Sequence, residues 1–354
     1  MKIGILTFHW ATNYGAVLQC YALQEFLHEQ GYEVEIINYK PIQYEETFYN
    51  FLRKCKFLHL SSFLVTYKQE RALNLFRKKF LHLTQRVSSY RNLYKIVKHY
   101  DVIISGSDQV TNPTFLMCGE GKGIVTPTYF IGFPFKGKRV GYALSFGCIA
   151  YPEQARKVAI QYIKNFDAIS VREKSGADIV KSMGRDDVVV VPDPTFLMQP
   201  PFYHNLTDRS LILRKKSFIY SFFIRHIVER KSIVNSLFKN KKILWNCEDG
   251  NYAMQDWLAK IKYADFVITD SFHCVVMCLK LHTPFVVVTE NEGNVGMNDR
   301  LFTMLSIIEM ESRILHKSKM SKVYSVLANE IQWGQIDKKL DSIRKKGAKF
   351  LQSI

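Results

Sequence analysis

The chain carries 354 residues, 47% hydrophobic and 23% charged, the balance of an ordinary globular protein with material for about two domains. Its 49 Lys and Arg against 32 Asp and Glu leave +17 at pH 7, a charge that suits nucleic acid, anionic lipid or anionic small substrates. The cations fall in short scattered groups without zinc-finger spacing, an RNA-binding signature or a basic arm, which disfavours nucleic acid. No apolar run approaches the roughly 18 residues of a membrane span.

The first predicted element is a buried strand over the apolar run 2–8, with no signal peptide ahead of it. A turn over 9–13 follows, then helical spacing over 14–30 closed by Gly31, then a second strand over 33–38. Such a strand–loop–helix–strand opening starts a βαβ unit, and ligands of such sheets bind beyond the carboxyl ends of the strands. The loop 9–15 therefore sits where chemistry is expected, with Asn13 as a candidate donor or acceptor. It lacks GxGxxG, so a dinucleotide is disfavoured. Residues 40–100 read as a helical, aromatic and basic insertion, suited to packing, to a lid or to a membrane-associated contact.

Further strands are predicted at 101–105, 140–143, 167–171 and 188–191, with helices over 151–165 and 174–183 and a polar loop reaching 125. Their carboxyl ends deliver Ser107 and Asp108, Ser145, Arg172 and Asp193. Ser107 and Ser145 are loop residues able to bind a donor or a sugar, and Asp193 between two prolines reads as a turn former. Asp108 is a candidate acid or base, or else a turn carboxylate. A linker is expected over 199–216, which divides the chain into a domain at 1–200, a second at 201–320 and a basic helical tail at 321–354.

In the second domain the βαβ alternation restarts, with strands at 217–223, 241–245, 265–269 and 285–288. Asp270 and Ser271 can both cap the helix that follows 269, and His273 then falls in its first turn. Unpaired backbone N–H groups and the positive end of the helix dipole converge there, a place suited to phosphate or carboxylate; a histidine that completes the cap is the alternative. Arg300, at the start of a helix over 299–307, can close onto an anion or stand in solvent. Cysteines at 20, 55, 118, 148, 247, 274 and 278 and ten dispersed histidines show no metal-ligand spacing, so no metal is expected. The expected setting is a reducing, cytoplasmic one, at most peripheral to the inner face of a membrane.

The opening KIGILTFHWATNYGAVLQCYALQEFL, then DVIISGSDQVTNP, YALSFG, ISVREKSGADIVK, VVPDPTFLM and ITDSFHCVVMCLKLHTPFVVV resemble, in order, the polysaccharide pyruvyl transferase family. The resemblance implies α/β architecture with two Rossmann-like domains facing a cleft, similar to GT-B glycosyltransferases. It implies transfer of the pyruvyl group of phosphoenolpyruvate to two hydroxyls of one sugar, as a ketal, in capsular, exopolysaccharide or cell-wall assembly. No other cofactor is implied. The family's SFH-type motif falls on Ser271, Phe272 and His273, and its xVRE arginine on Arg172, both associated with holding the donor. Thr111 stands where the family pattern has tryptophan, a change in the expected cleft wall that leaves the acceptor sugar open.

The chemistry matches these residue types. Arginine grips carboxylate or phosphate as a fork, so Arg172 and Arg300, with Ser271, are the donor-binding candidates. Addition to the enol needs an acid for the methylene carbon and a base for the attacking hydroxyl, and His273 serves as general acid or phosphate ligand. A lipid-linked or nucleotide-linked sugar would be the acceptor, and a lipid-linked one gives the basic surface an anionic membrane to meet. A GT-B-type glycosyltransferase using a nucleotide sugar, and a sugar-binding protein without catalysis, are the competing readings. If Arg172 and His273 form a two-sided anion site, they should face one another across the domain seam.

Overall fold

Strand β1 (Lys2–Leu6) buries four of its five residues, so both faces of the sheet it joins are covered. In this computed structural model the described residues are 1–41, 44, 60–117, 125–207, 217–246, 248–291 and 298–354. They divide into two compact units, Met1–Leu197 with Arg344–Ile354, and Met198–Ile343. The tail set apart in the sequence at 321–354 is thus shared between the two units.

The first unit holds a six-stranded parallel sheet ordered β2-β1-β3-β4-β5-β6, with β2 (Glu33–Ile36), β3 (Val102–Gly106), β4 (Lys138–Leu144), β5 (Ala168–Val171) and β6 (Val189–Val190). The order reverses at β1, so the crevice of this sheet opens where the chain leaves β1 and β3. Helix α1 (Tyr14–Glu29) connects β1 to β2; Asn13 caps it by accepting from the Ala16 N–H at 3.2 Å. Gly31, at φ +83°, reverses the chain after it, a conformation that other residues adopt only at a cost.

The insertion contributes α2 (Leu60–Phe80) and α3 (Tyr90–Ile96); the part at 45–59 lies outside the described residues. Tyr21 of α1 meets Phe76 and Phe80 of α2 with ring centroids 5.5 Å apart in each pair. The polar loop predicted before residue 125 contains a short helix, α4 (Pro113–Met117), started by proline, whose missing N–H costs nothing at a first helical position. Helices α5 (Glu153–Ile163) and α6 (Lys174–Ser182) complete the unit's predicted elements.

The second unit holds a five-stranded parallel sheet ordered β11-β10-β9-β7-β8, built from β7 (Ile219–Phe222), β8 (Ile243–Trp245), β9 (Phe266–Thr269), β10 (Phe285–Thr289) and β11 (Ile314–His316). Its order reverses between β7 and β9. The linker expected over 199–216 is corrected in its first half: Pro200–Thr207 is helix α7, and Pro200 and Pro201 start it. Residues 208–216 lie outside the described residues. Helices α8 (Ile227–Leu237), α9 (Met254–Tyr263), α10 (Phe272–Lys280) and α11 (Asp299–Ile307) flank the sheet. After α12 (Val323–Ala328), the long α13 (Trp333–Gln352) brings its last turns to the first unit. There Gly347 lies so close to the Tyr142 hydroxyl that a Cβ would come within 2.6 Å of it.

Among the described residues no helix is long and apolar enough to cross a membrane.

Candidate active site

At the first unit's strand ends, one arginine gathers three carboxylates from three loops. Arg172, delivered by β5, donates from Nη1 to Asp193 Oδ2 at 2.7 Å; its Nη2 lies 3.7 Å from Asp108 and its Nε 3.8 Å from Glu173. The side chain is 2% exposed. Burial is the largest single influence and works against its charge, but the carboxylates together outweigh it and hold the pKa above the ordinary arginine value.

Each carboxylate does a second task. Asp193 accepts the Ser107 hydroxyl at 2.9 Å and the Thr195 N–H and hydroxyl at 3.0 and 2.7 Å, so it joins the β3 loop to the β6 loop. Glu173 accepts the Phe146 N–H at 2.7 Å and the Gly147 N–H at 3.3 Å, which fixes the turn after β4. Asp108 stands in the left-handed region at φ 64°, a conformation that costs a non-glycine residue about 1 kcal/mol or more. Its carbonyl takes the Ser145 N–H at 3.2 Å, and its carboxylate is 15% exposed, the most accessible of the three.

Ser107, Asp108, Ser145, Arg172 and Asp193, picked out separately along the sequence, thus form one cluster. Ser107 and Ser145 are fully buried. Asn13 lies apart as the exposed cap of α1. Thr111 is buried, and its hydroxyl donates to the Ser145 carbonyl at 2.9 Å, so it ties two loops together. The sequence places Glu173 beside Arg172 at the end of the same strand but gives it no role, and Thr195 carried no signal of its own.

His9, in the loop after β1, is buried with Nδ1 3.2 Å from the Thr7 carbonyl and Nε2 3.1 Å from Asn38 Oδ1. Burial is the main cause of a pKa lowered from 6.5 to about 4. A depressed histidine stabilises the fold fully above pH 6.5 and loses that contribution as pH falls toward 4, here a loss of about 3 kcal/mol. Equilibrium unfolding across that range should show the slope, and His9→Gln should flatten it.

In the second unit the chain leaves β9 through Asp270. Of the two residues able to cap α10, Ser271 does so, its Oγ accepting the Cys274 N–H at 3.4 Å. Asp270 turns the other way across the switch point and accepts the Ile224 N–H at 2.7 Å and the Arg225 N–H at 3.1 Å. Burial pushes its pKa up, against those donors. His273 occupies the first turn of α10, buried, with its ring edge-on to Phe272 at 5.3 Å between centroids. The Arg300 guanidinium, from the first turn of α11, lies over the other partner of that pair, 5.9 Å from the Phe272 ring. Phe272 therefore has the Ser271 cap before it in the chain, the His273 ring edge-on to it and the Arg300 guanidinium over it, all at the amino end of α10. Cys274 and Cys278 are unbridged and buried, small apolar members of the same helix. Among the described residues no three His, Cys, Asp or Glu side chains are grouped to hold a metal ion.

Residues 13–292 match the family model for polysaccharide pyruvyl transferase. No curated protein matches the chain. Among solved structures, the UDP-GlcNAc 2-epimerase of Methanocaldococcus jannaschii, in complex with UDP-GlcNAc and UDP, is similar at 12% identity and TM-score 0.51, over 97% of this chain and 99% of that one. A glycosyltransferase of Streptomyces sp. SF2575 is similar at 10% identity and TM-score 0.37, over 99% and 96%. The architecture is two parallel-sheet α/β units, a fold similar to that of the epimerase.

Proposed function

Since the chain belongs to the polysaccharide pyruvyl transferase family, we propose that it moves the pyruvyl group of phosphoenolpyruvate onto two hydroxyls of one sugar. The enol methylene gains a proton to become methyl, its neighbouring carbon forms two C–O bonds, and phosphate leaves with the second hydroxyl proton. Atoms balance without water or redox chemistry.

The observation that carries this reading is His273 in the first turn of α10, after the Ser271 cap and next to Phe272, whose ring the Arg300 guanidinium covers. A trianionic donor is best met there, where the helix dipole and a guanidinium both favour negative charge. His273 is then the donor's phosphate ligand or the acid that protonates its methylene carbon. The cluster in the first unit has the opposite sense, since Arg172 carries one positive charge against three carboxylates. That excess of negative charge suits a sugar's hydroxyls better than an anionic donor, and Asp108, its most accessible carboxylate, would serve as the base for a hydroxyl. Arg172 acts through Asp108 and Asp193, as a positioning residue. The acceptor would be a lipid-linked or nucleotide-linked sugar of a cell-envelope polysaccharide, made in the cytoplasm.

The test is incubation of the full chain with phosphoenolpyruvate and candidate acceptors. Release of phosphate together with a sugar heavier by pyruvate less water is the expected result. Nucleotide release from a sugar donor would replace this reading with the glycosyltransferase one, and binding of a sugar without turnover would favour a non-catalytic role.

A further inference from the structure

Helix α2 has two faces with different partners. Its inner face buries Leu73 and Phe76 and fastens the helix to the loop at the first unit's switch point. Arg77 donates from Nε to the His9 carbonyl at 2.7 Å and from Nη2 to the Ala11 carbonyl at 2.6 Å. Glu70 accepts the Thr12 hydroxyl at 2.7 Å and pairs with Arg77 at 3.1 Å.

The outer face is of another kind. Leu64, Tyr67 and Leu75 recur at helical spacing on one stripe and are 45%, 54% and 64% exposed, large for apolar side chains of a helix that already packs a core on its other side. Lys68, Arg71, Lys78 and Lys79 are exposed on the same side. From Leu64 to Phe80 the helix has a single carboxylate, Glu70, and that one is engaged with Arg77 and Thr12. The exposed stripe is therefore apolar and uniformly cationic.

We propose that this outer face of α2 docks on an anionic lipid surface. The leucines and the tyrosine enter the headgroup boundary, and the four cations meet headgroup charge around them. The inner face then carries the loop 9–13 at a fixed depth from that surface, because Arg77 and Glu70 hold the loop to the helix. Docking needs neither phosphoenolpyruvate nor a sugar, so its test stands apart from that of the catalytic reading.

The probe is co-sedimentation of the full chain with vesicles of equimolar phosphatidylcholine and phosphatidylglycerol, and with vesicles of phosphatidylcholine alone. Partition onto the anionic vesicles only, weakening as salt rises, is expected. Lys68→Glu with Arg71→Glu should lower the partition coefficient by at least roughly thirtyfold, the loss expected from two cations before the repulsion of the new carboxylates is added, and Leu64→Ser with Leu75→Ser by roughly tenfold or more. Lys346→Glu with Lys349→Glu makes the same change in net charge on α13 and should cost less than roughly threefold if α2 is the docking face. No partition at low salt, equal partition onto the neutral vesicles, or an equal loss in the α13 variant would each overturn the proposal.

Discussion

His273→Gln should lower pyruvyl transfer by roughly 10²–10⁴-fold with the protein still folded, if the imidazole is the general acid. Its position is the reason. A side chain in the first turn of α10 sits among N–H groups that have no helical partner, and its neighbours there are the Ser271 cap and the Phe272–Arg300 pair. The two roles left open for His273 separate in the kinetics. Loss of the acid lowers kcat with little change in KM, whereas loss of a phosphate ligand held equally in ground and transition states raises KM and spares kcat. Glutamine keeps most of the volume of the buried ring, so an unchanged melting temperature should accompany either result. Full activity in this variant would remove His273 from the site altogether.

The strand ends were legible because a parallel sheet buries both faces, and its strands then stand out as short apolar runs. Predicted and observed strands agree to within a few residues, as at 265–269 against Phe266–Thr269, and the helix at 299–307 agrees at both ends. The elements that escaped had weaker signals. β11 is three residues long and ends in histidine, and α7 opens with two prolines that are equally at home in a linker. At the site, residue types were legible but pairings were not. Asp270 and Ser271 each fit a cap by type, and only the fold shows that Asp270 reaches across to Ile224 and Arg225 instead. Ser107 was a candidate ligand by its place after β3, yet its hydroxyl belongs to Asp193, 86 residues further along the chain. Contacts of that separation are set by the sheet order, which nothing in the local pattern of either loop encodes.

Arg172→Met should destabilise the first unit by about 3–5 kcal/mol, measured by equilibrium unfolding without any substrate. Methionine fills much of the same space, so the loss is one of charge. Asp193 and Glu173 would stay buried at 0% and 1% exposure with their N–H and hydroxyl donors but without the Arg172 charge. The sign of the pH dependence follows. Without Arg172 those carboxylates take up protons more readily in the folded protein, so the gap in stability between wild type and variant should narrow as pH falls through the carboxylate range, near about 4. Arg172→Lys restores a charge but not the fork that spans Asp193, Asp108 and Glu173, and should recover only part of the loss. The same variants bear on the division of labour between the units. An arginine whose chief partner is the donor would leave the substrate-free protein as stable as before and would weaken phosphoenolpyruvate binding alone. An arginine that holds the Asp108 loop in its left-handed turn instead lowers stability first, and transfer falls because the base is misplaced, with donor affinity nearly kept.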